Sequence, residues 1–211
     1  PGGFGLAAKM AGTVSDHKIE HLWANDIDED TCRTYARNIC PKKPNSVFCR
    51  DIRDLAKDFD SLPRPDAIAF GFPCNDFSNV GETNGLNGSY GPLYQYGVRA
   101  VDVYKPDWFI AENVTGLRNS NEGAAFEKIL RELSEAGRGY CLTTSLYKFE
   151  EYGVPQARHR IIIVGIKKSL GLEFKVPAPT TPRKKISAKE AIENPPIPDG
   201  AFNNEFTKQS K

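Results

Sequence analysis

Short apolar runs alternate with amphipathic stretches along most of this chain, and that alternation restricts the folds open to it. Runs at His21–Ala24, Asp66–Phe70, Trp108–Ala111, Tyr140–Tyr147 and Arg160–Ile166 read as strands. Between them, Asp28–Asn38, Leu93–Tyr104 and Glu122–Ala136 read as helices. In the last of these, Phe126, Ile129, Leu130 and Leu133 recur at i, i+3, i+4 and i+7, one face of a helix. Strands alternating with helices predict an α/β domain built on a mostly parallel, doubly wound sheet. In such a sheet ligands bind outside the carboxyl ends of the strands, so residues just after each strand carry the functional information. From about Val176 onward Pro177, Pro179, Pro182, Pro195, Pro196 and Pro198 punctuate a polar stretch, which reads as a loop-rich exit or linker.

With 211 residues, 39% hydrophobic and 26% charged, the chain suits one large globular domain. No apolar run is long enough to cross a bilayer, so no membrane partner is expected. The chain begins at Pro1 without a signal-peptide pattern and is expected to be a fragment. The five cysteines form an odd set without a C-x-x-C pair. That usage suggests a reducing, cytoplasmic setting and neither a disulfide framework nor a metal site. Residues 1–150 carry 17 Lys+Arg against 21 Asp+Glu, and residues 151–211 carry 11 against 6. A basic C-terminal part is compatible with a polyanionic partner, but an excess this small more often marks a solvated surface.

The first residues, Pro1-Gly2-Gly3-Phe4-Gly5, precede a helical stretch. Glycines there let backbone N–H groups approach a ligand at a helix N-terminus. Asp26 lies about 20 residues on, directly after a strand, where a carboxylate can bind ribose hydroxyls; Asp51 follows the next short apolar stretch. A plain turn and surface acids explain these residues equally well. A nicotinamide-dependent oxidoreductase would account for the glycines and Asp26 and leave the rest of the chain unexplained.

The reacting centre is clearer. Phe70-Gly71-Phe72-Pro73-Cys74-Asn75-Asp76-Phe77-Ser78 leaves a strand at the carboxyl edge of the sheet. A cysteine there faces a pocket and becomes a strong nucleophile as thiolate. Pro73 fixes the backbone before it, and Ser78 can hold a phosphate or a backbone group. Alone, Cys74 would more often be a half-buried structural cysteine. Glu112 ends the next strand and should point into the same crevice, where a raised pKa would make it a proton donor. Gln156-Ala157-Arg158-His159-Arg160 enters the last strand, and its alternate arginines suit phosphate or base oxygens. The plainer alternatives are a capping glutamate and a basic strand edge.

These runs in this order resemble the core motifs of the DNA cytosine-5 methyltransferase family. Pro73-Cys74-Asn75-Asp76-Phe77-Ser78, Glu112-Asn113-Val114 and Gln156-x-Arg158-x-Arg160 carry the likeness. Gly2-Gly3-Phe4 is similar to the end of that family's first cofactor motif. Asp26-Ile27 and Asp51-Ile52 match its later cofactor positions, and Gly91-Pro92-Leu93 matches the motif that opens a helix beside the cofactor. The resemblance implies a Rossmann-like S-adenosylmethionine-dependent methyltransferase fold, incomplete at both ends. It implies S-adenosylmethionine as methyl donor and S-adenosylhomocysteine as product, held by Gly2, Gly3, Phe4, Asp26, Ile27, Asp51, Ile52, Pro73 and Leu93. It assigns catalysis to Cys74, Glu112, Arg158 and Arg160, and nucleic-acid contacts to Ser78, Gln156, Arg158 and Arg160. The partner it implies is double-stranded DNA with a flipped cytosine.

On this reading residues 1–175 are the catalytic and cofactor-binding domain, and 176–211 lead toward a target-recognition region. That region and the family's last motif are not visible before Lys211, so a missing C-terminal part or a second chain is expected to supply them. The chain alone is expected to bind cofactor poorly and to turn over little. A bacterial or phage-type modification enzyme of a restriction system fits best. Two alternatives stay open: a transfer-RNA cytosine-5 methyltransferase, and a catalytically silent regulatory relative.

Overall fold

The computed structural model describes residues 2–16, 18–72, 93–114 and 123–193. Pro1, Pro73, Cys74, Ser78, Gly91 and Pro92 lie outside the described residues. The chain divides into two compact units, one of residues 1–145 with 161–176 and one of 146–160 with 177–211.

The first unit opens with helix α1 (Gly3–Val14), strand β1 (Ala24–Asp26) and helix α2 (Glu29–Ile39). Strand β2 (Val47–Cys49) and the short helix α3 (Ile52–Leu55) follow. Next come β3 (Ala67–Gly71), α4 (Tyr94–Tyr104), β4 (Trp108–Asn113) and α5 (Ala124–Glu135). Strands β5 (Tyr140–Lys148) and β6 (His159–Lys167) close the sheet, and α6 (Ala188–Glu193) ends the described chain.

Strands β1 and β2 pair in parallel, with Asp26 opposite Cys49. The other four strands lie in the order β3-β4-β6-β5; β3 and β4 run parallel, whereas β6 runs antiparallel to β4. The fold is therefore α/β with a mostly parallel sheet, and the hairpin connection through residues 149–158 brings the antiparallel strand in.

Local chemistry explains the element boundaries. The Asp28 carboxylate caps α2 by accepting the Thr31 N–H at 2.7 Å, a contact that holds its pKa below the usual carboxylate value. Gly123, at φ 88°, precedes α5 in a left-handed conformation that suits glycine. The first strand starts at Ala24 rather than His21, so Asp26 is its last residue and does not follow it. Before the strand, Trp23 is anchored by its side chain: Nε1 donates to the Pro63 carbonyl at 2.9 Å and the ring packs on Phe59 and Tyr104.

Helix α4 serves two apolar clusters. Val101 joins Phe109, Ala111, Ile129, Leu133, Tyr140 and Ile163, while Ala100 and Tyr104 join Leu55, Ala56 and Phe59. Ile129 and Leu133 of the predicted α5 face are almost wholly buried, each contributing about 1.5–3 kcal/mol over exposure. Two buried Tyr hydroxyls find carbonyls: Tyr104 donates to Phe59 at 2.8 Å and Tyr140 to Pro106 at 2.7 Å. Burial pushes both phenols up to about 12.

Gly165 faces Phe109 across the β4–β6 pair, and that ring occupies the space a side chain at 165 would need. A Cβ there would lie 2.3 Å from two Phe109 ring carbons. The ring is buried and packs edge-on to Tyr140, with centroids 5.0 Å apart, so it has nowhere to move. Gly165→Ala is expected to lower stability by roughly 1–3 kcal/mol, read as a lower urea midpoint at unchanged slope. An unmoved midpoint would contradict this packing.

Candidate active site

The carboxyl ends of β1 and β2 lie side by side because the two strands are parallel. Asn25 secures them: its Nδ2 donates to the Phe48 carbonyl at 2.9 Å and to the Arg50 carbonyl at 2.7 Å. Asp26, at the end of β1, accepts the Asp28 N–H on Oδ1 at 3.0 Å, which forms a tight turn. Ile27, in that turn, is two-thirds exposed. Asp51 caps α3 through the Arg53 N–H at 2.8 Å, and the Arg53 guanidinium binds both its oxygens, with Nη2 2.6 Å from Oδ2. These Arg53 contacts hold the Asp51 carboxyl well below the usual carboxylate range. Ile52 packs against the Leu55–Phe59 cluster and is structural as well as adjacent to this edge.

Gly2 and the glycine three residues on have packing roles. Gly2 sits at φ 91° ahead of α1, and a Cβ on it would stand 3.0 Å from Ile39. A Cβ on Gly5 would stand 2.7 Å from the Tyr35 hydroxyl, so α1 rests closely on α2. Gly3 differs: among the described residues a Cβ there would meet nothing within 4 Å at the first turn of α1, and Phe4 is exposed. A helix N-terminus, a carboxylate at the end of β1 and a second at the start of α3 fit a nucleoside carrying a charged tail.

The second group of residues surrounds the exit of β3. Gly71 and Glu112 are register partners in the parallel β3–β4 pair. A Cβ on Gly71 would come within 3.2 Å of Glu112 Oε2, so the carboxylate lies over the glycine at the carboxyl edge of the sheet. Asn113, 2% exposed, is turned to the buried side. Its Nδ2 donates to the Phe72 carbonyl at 3.3 Å and its Oδ1 accepts the Val114 N–H at 2.7 Å. One buried amide thus ties together the chain leaving β3 and the chain leaving β4. This role of Asn113 was not read from the sequence; a polar residue in the buried phase of a strand was the available signal. Leu93 immediately precedes α4 and is partly buried.

Gln156, Arg158 and Arg160 belong to the second unit, on the connection between β5 and β6. The Phe149 N–H donates to the Arg158 carbonyl at 3.0 Å and the Gln156 N–H to the Val154 carbonyl at 2.8 Å. Arg160 begins β6 beside His159 and donates from Nη1 to the His159 carbonyl at 2.7 Å. Gln156 and Arg158 are exposed. Within the first unit the described site residues therefore form two groups, Asp26 with Asp51 and Gly71 with Glu112; the arginines form a third in the second unit.

Comparison with known proteins places the chain in a family. The profile of the C-5 cytosine-specific DNA methylase family matches residues 1–210. The chain is 53% identical over 221 residues to the type II methyltransferase M.BbvI of Brevibacillus brevis, spanning 100% of this chain and 58% of that protein. It is 35% identical over 216 residues to M.NgoFVII of Neisseria gonorrhoeae, across 99% of this chain and 54% of the relative. Among solved structures, one described as a candidate DNA modification methyltransferase from an Escherichia coli prophage superposes with TM-score 0.64 at 26% identity, covering 85% of this chain and 49% of the other. A Spodoptera frugiperda DNMT2 structure shares the fold, with TM-score 0.58 at 23% identity over 82% of this chain and 50% of its own. The chain spans about half to three-fifths of the length of these proteins and belongs to the C-5 cytosine-specific DNA methylase family.

Proposed function

We propose that the protein transfers a methyl group from S-adenosylmethionine to carbon 5 of cytosine in DNA, as the modification enzyme of a restriction system. The observation that carries this reading is the Glu112 carboxylate lying over Gly71, where β3 hands the chain to Pro73-Cys74. In the sequence Cys74 follows Phe72 by two residues. Phe72 is in turn tied to Asn113, the neighbour of Glu112.

The chemistry requires both groups. Carbon 5 of cytosine is too weak a nucleophile to accept a methyl group unaided. The Cys74 thiolate adds to carbon 6 and turns carbon 5 into an enamine-like nucleophile. Glu112 donates a proton or hydrogen bond to ring nitrogen 3 and stabilises the charge pushed into the ring. Arg160 holds the base carbonyl, and Arg158 supports Glu112, Cys74 or a phosphate. After transfer, loss of the carbon-5 proton restores the double bond and expels Cys74. A base stacked in a duplex cannot reach such a site, so the nucleotide is flipped out, at a cost of a few kcal/mol that DNA contacts offset; Ser78 and Gln156 are assigned to those contacts.

Bound S-adenosylmethionine supplies the methyl group as a sulfonium. Asp26 would receive the ribose hydroxyls, and Asp51, Ile27, Ile52, Pro73 and Leu93 would hold the rest of the nucleoside. Gly2, Gly3 and Phe4 present the first turn of α1 to the charged tail. These 211 residues alone are expected to turn over little, because the relatives they match are nearly twice as long. A target-recognition region or a second chain completes the enzyme. Among the described residues no helix is long and apolar enough to cross a membrane, and a DNA substrate places the work in the cytoplasm.

Two measurements test the reading. Duplex DNA carrying 5-fluorocytosine, incubated with the whole protein and S-adenosylmethionine, should trap a covalent adduct, since fluorine cannot leave as a proton does. Mass spectrometry should locate it on the Cys74 peptide, and Cys74→Ser should abolish it; trapping on fluorocytosine-containing RNA alone would transfer the reading to an RNA substrate. Separately, Gly71→Ala crowds the Glu112 carboxylate from 3.2 Å. It should lower kcat on the order of 10-fold without lowering Tm, and unchanged turnover would contradict the claim that the seat over Gly71 holds Glu112 in its working position.

A further inference from the structure

The second unit holds a buried carboxylate that the proposed chemistry leaves unused. Glu150 lies in the 3-10 turn Phe149–Tyr152 and is only 8% exposed. Its Oε1 is 2.8 Å from His159 Nε2 and 3.6 Å from Lys185 Nζ. His159 stands between Arg158 and Arg160, so the carboxylate grips the arginine-bearing turn from within.

A second set of contacts binds the proline-rich segment to the same turn. Tyr152 donates to the Pro177 carbonyl at 2.9 Å. The Thr181 N–H donates to the Glu151 carbonyl at 2.8 Å. The Thr181 hydroxyl accepts the Gly153 N–H at 2.8 Å and donates to the Glu150 carbonyl at 3.3 Å. Gly153, at φ 82°, turns the chain there in a conformation that suits glycine. Residues 177–185 are thus a strap sewn to the 3-10 turn at Tyr152, Thr181 and Lys185. A linker with no such role would not need to satisfy three successive groups of one turn. The hydrogen bond from His159 also holds the Glu150 carboxyl below its ordinary value, so this carboxylate is ionised at neutral pH.

We propose that Glu150 and Thr181 are positioning residues: with His159 they fix the turn that presents Arg158 and Arg160 to the target base, and the strap carries part of that fixation. This rests on the reading that those arginines hold the base. A loosened turn leaves both guanidiniums present but misplaced, and a displacement of about 1 Å costs up to two orders of magnitude in rate.

The test uses the whole protein with duplex DNA and S-adenosylmethionine. Thr181→Val removes the hydroxyl at nearly constant shape; Thr181→Ser keeps it. Thr181→Val should lower kcat roughly 10-fold while the Tm stays close to wild type. Thr181→Ser should restore turnover, and Glu150→Gln should reproduce the loss. Arg160→Ala is measured beside them. If Arg160→Ala turns over normally, the reading of the arginines fails and the proposal falls with it. If Arg160→Ala is inactive but Thr181→Val and Glu150→Gln match wild type, the clamp alone is overturned. A loss of rate that only follows a loss of Tm, without rescue by Thr181→Ser, would reduce the clamp to a structural contact and overturn it as well.

Discussion

Strand β4 is the constraint on which the larger sheet depends. It pairs in parallel with β3 on one side and antiparallel with β6 on the other. Its alternation sends Phe109, Ala111 and Asn113 to the buried face and leaves Glu112 half-exposed on the opposite one. At two registers the partner strand has glycine, and each time a β4 side chain uses the space: Phe109 over Gly165, Glu112 over Gly71. The first seals the core and the second seats the candidate acid. One strand thus joins packing to chemistry, since a shift of a single residue would exchange its two faces.

The other parallel pair works by a different principle. Asp26 and Asp51 are brought to one edge by backbone pairing and by the Asn25 amide, but each already accepts from nearby donors. Such prior commitments hold the carboxylates in one orientation before any ligand arrives. Asp51 is the more committed of the two, being bound to Arg53 through both oxygens. A ligand at that edge therefore meets an acid whose charge and direction are fixed by the protein.

Much of this was legible from the sequence because it is periodic or local. The Phe126–Leu133 stripe marked α5, and the helical stretch Asp28–Asn38 corresponds to α2. In the sequence β4 stops at Ala111–Glu112 because a charged residue interrupts an apolar run, whereas the strand continues to Asn113. The first strand was misplaced because Leu22 and Trp23 look like strand residues, whereas Trp23 is claimed by Phe59, Pro63 and Tyr104. Gly71 as the seat of Glu112, Asn113 as the tie to Phe72 and Thr181 as the strap on Glu150 were not legible. Each is a pairing of residues far apart in the chain, with no period or spacing to reveal it.

The central claim concerns which atom receives the methyl group, and nucleoside analysis tests it most directly. Duplex DNA treated with the whole protein and isotopically labelled S-adenosylmethionine would be digested to nucleosides and resolved by mass spectrometry. Labelled 5-methyl-2′-deoxycytidine, formed by wild type and absent with Cys74→Ser, is the result predicted. Label on an exocyclic amine of cytosine or adenine, or undiminished label with Cys74→Ser, would contradict the account.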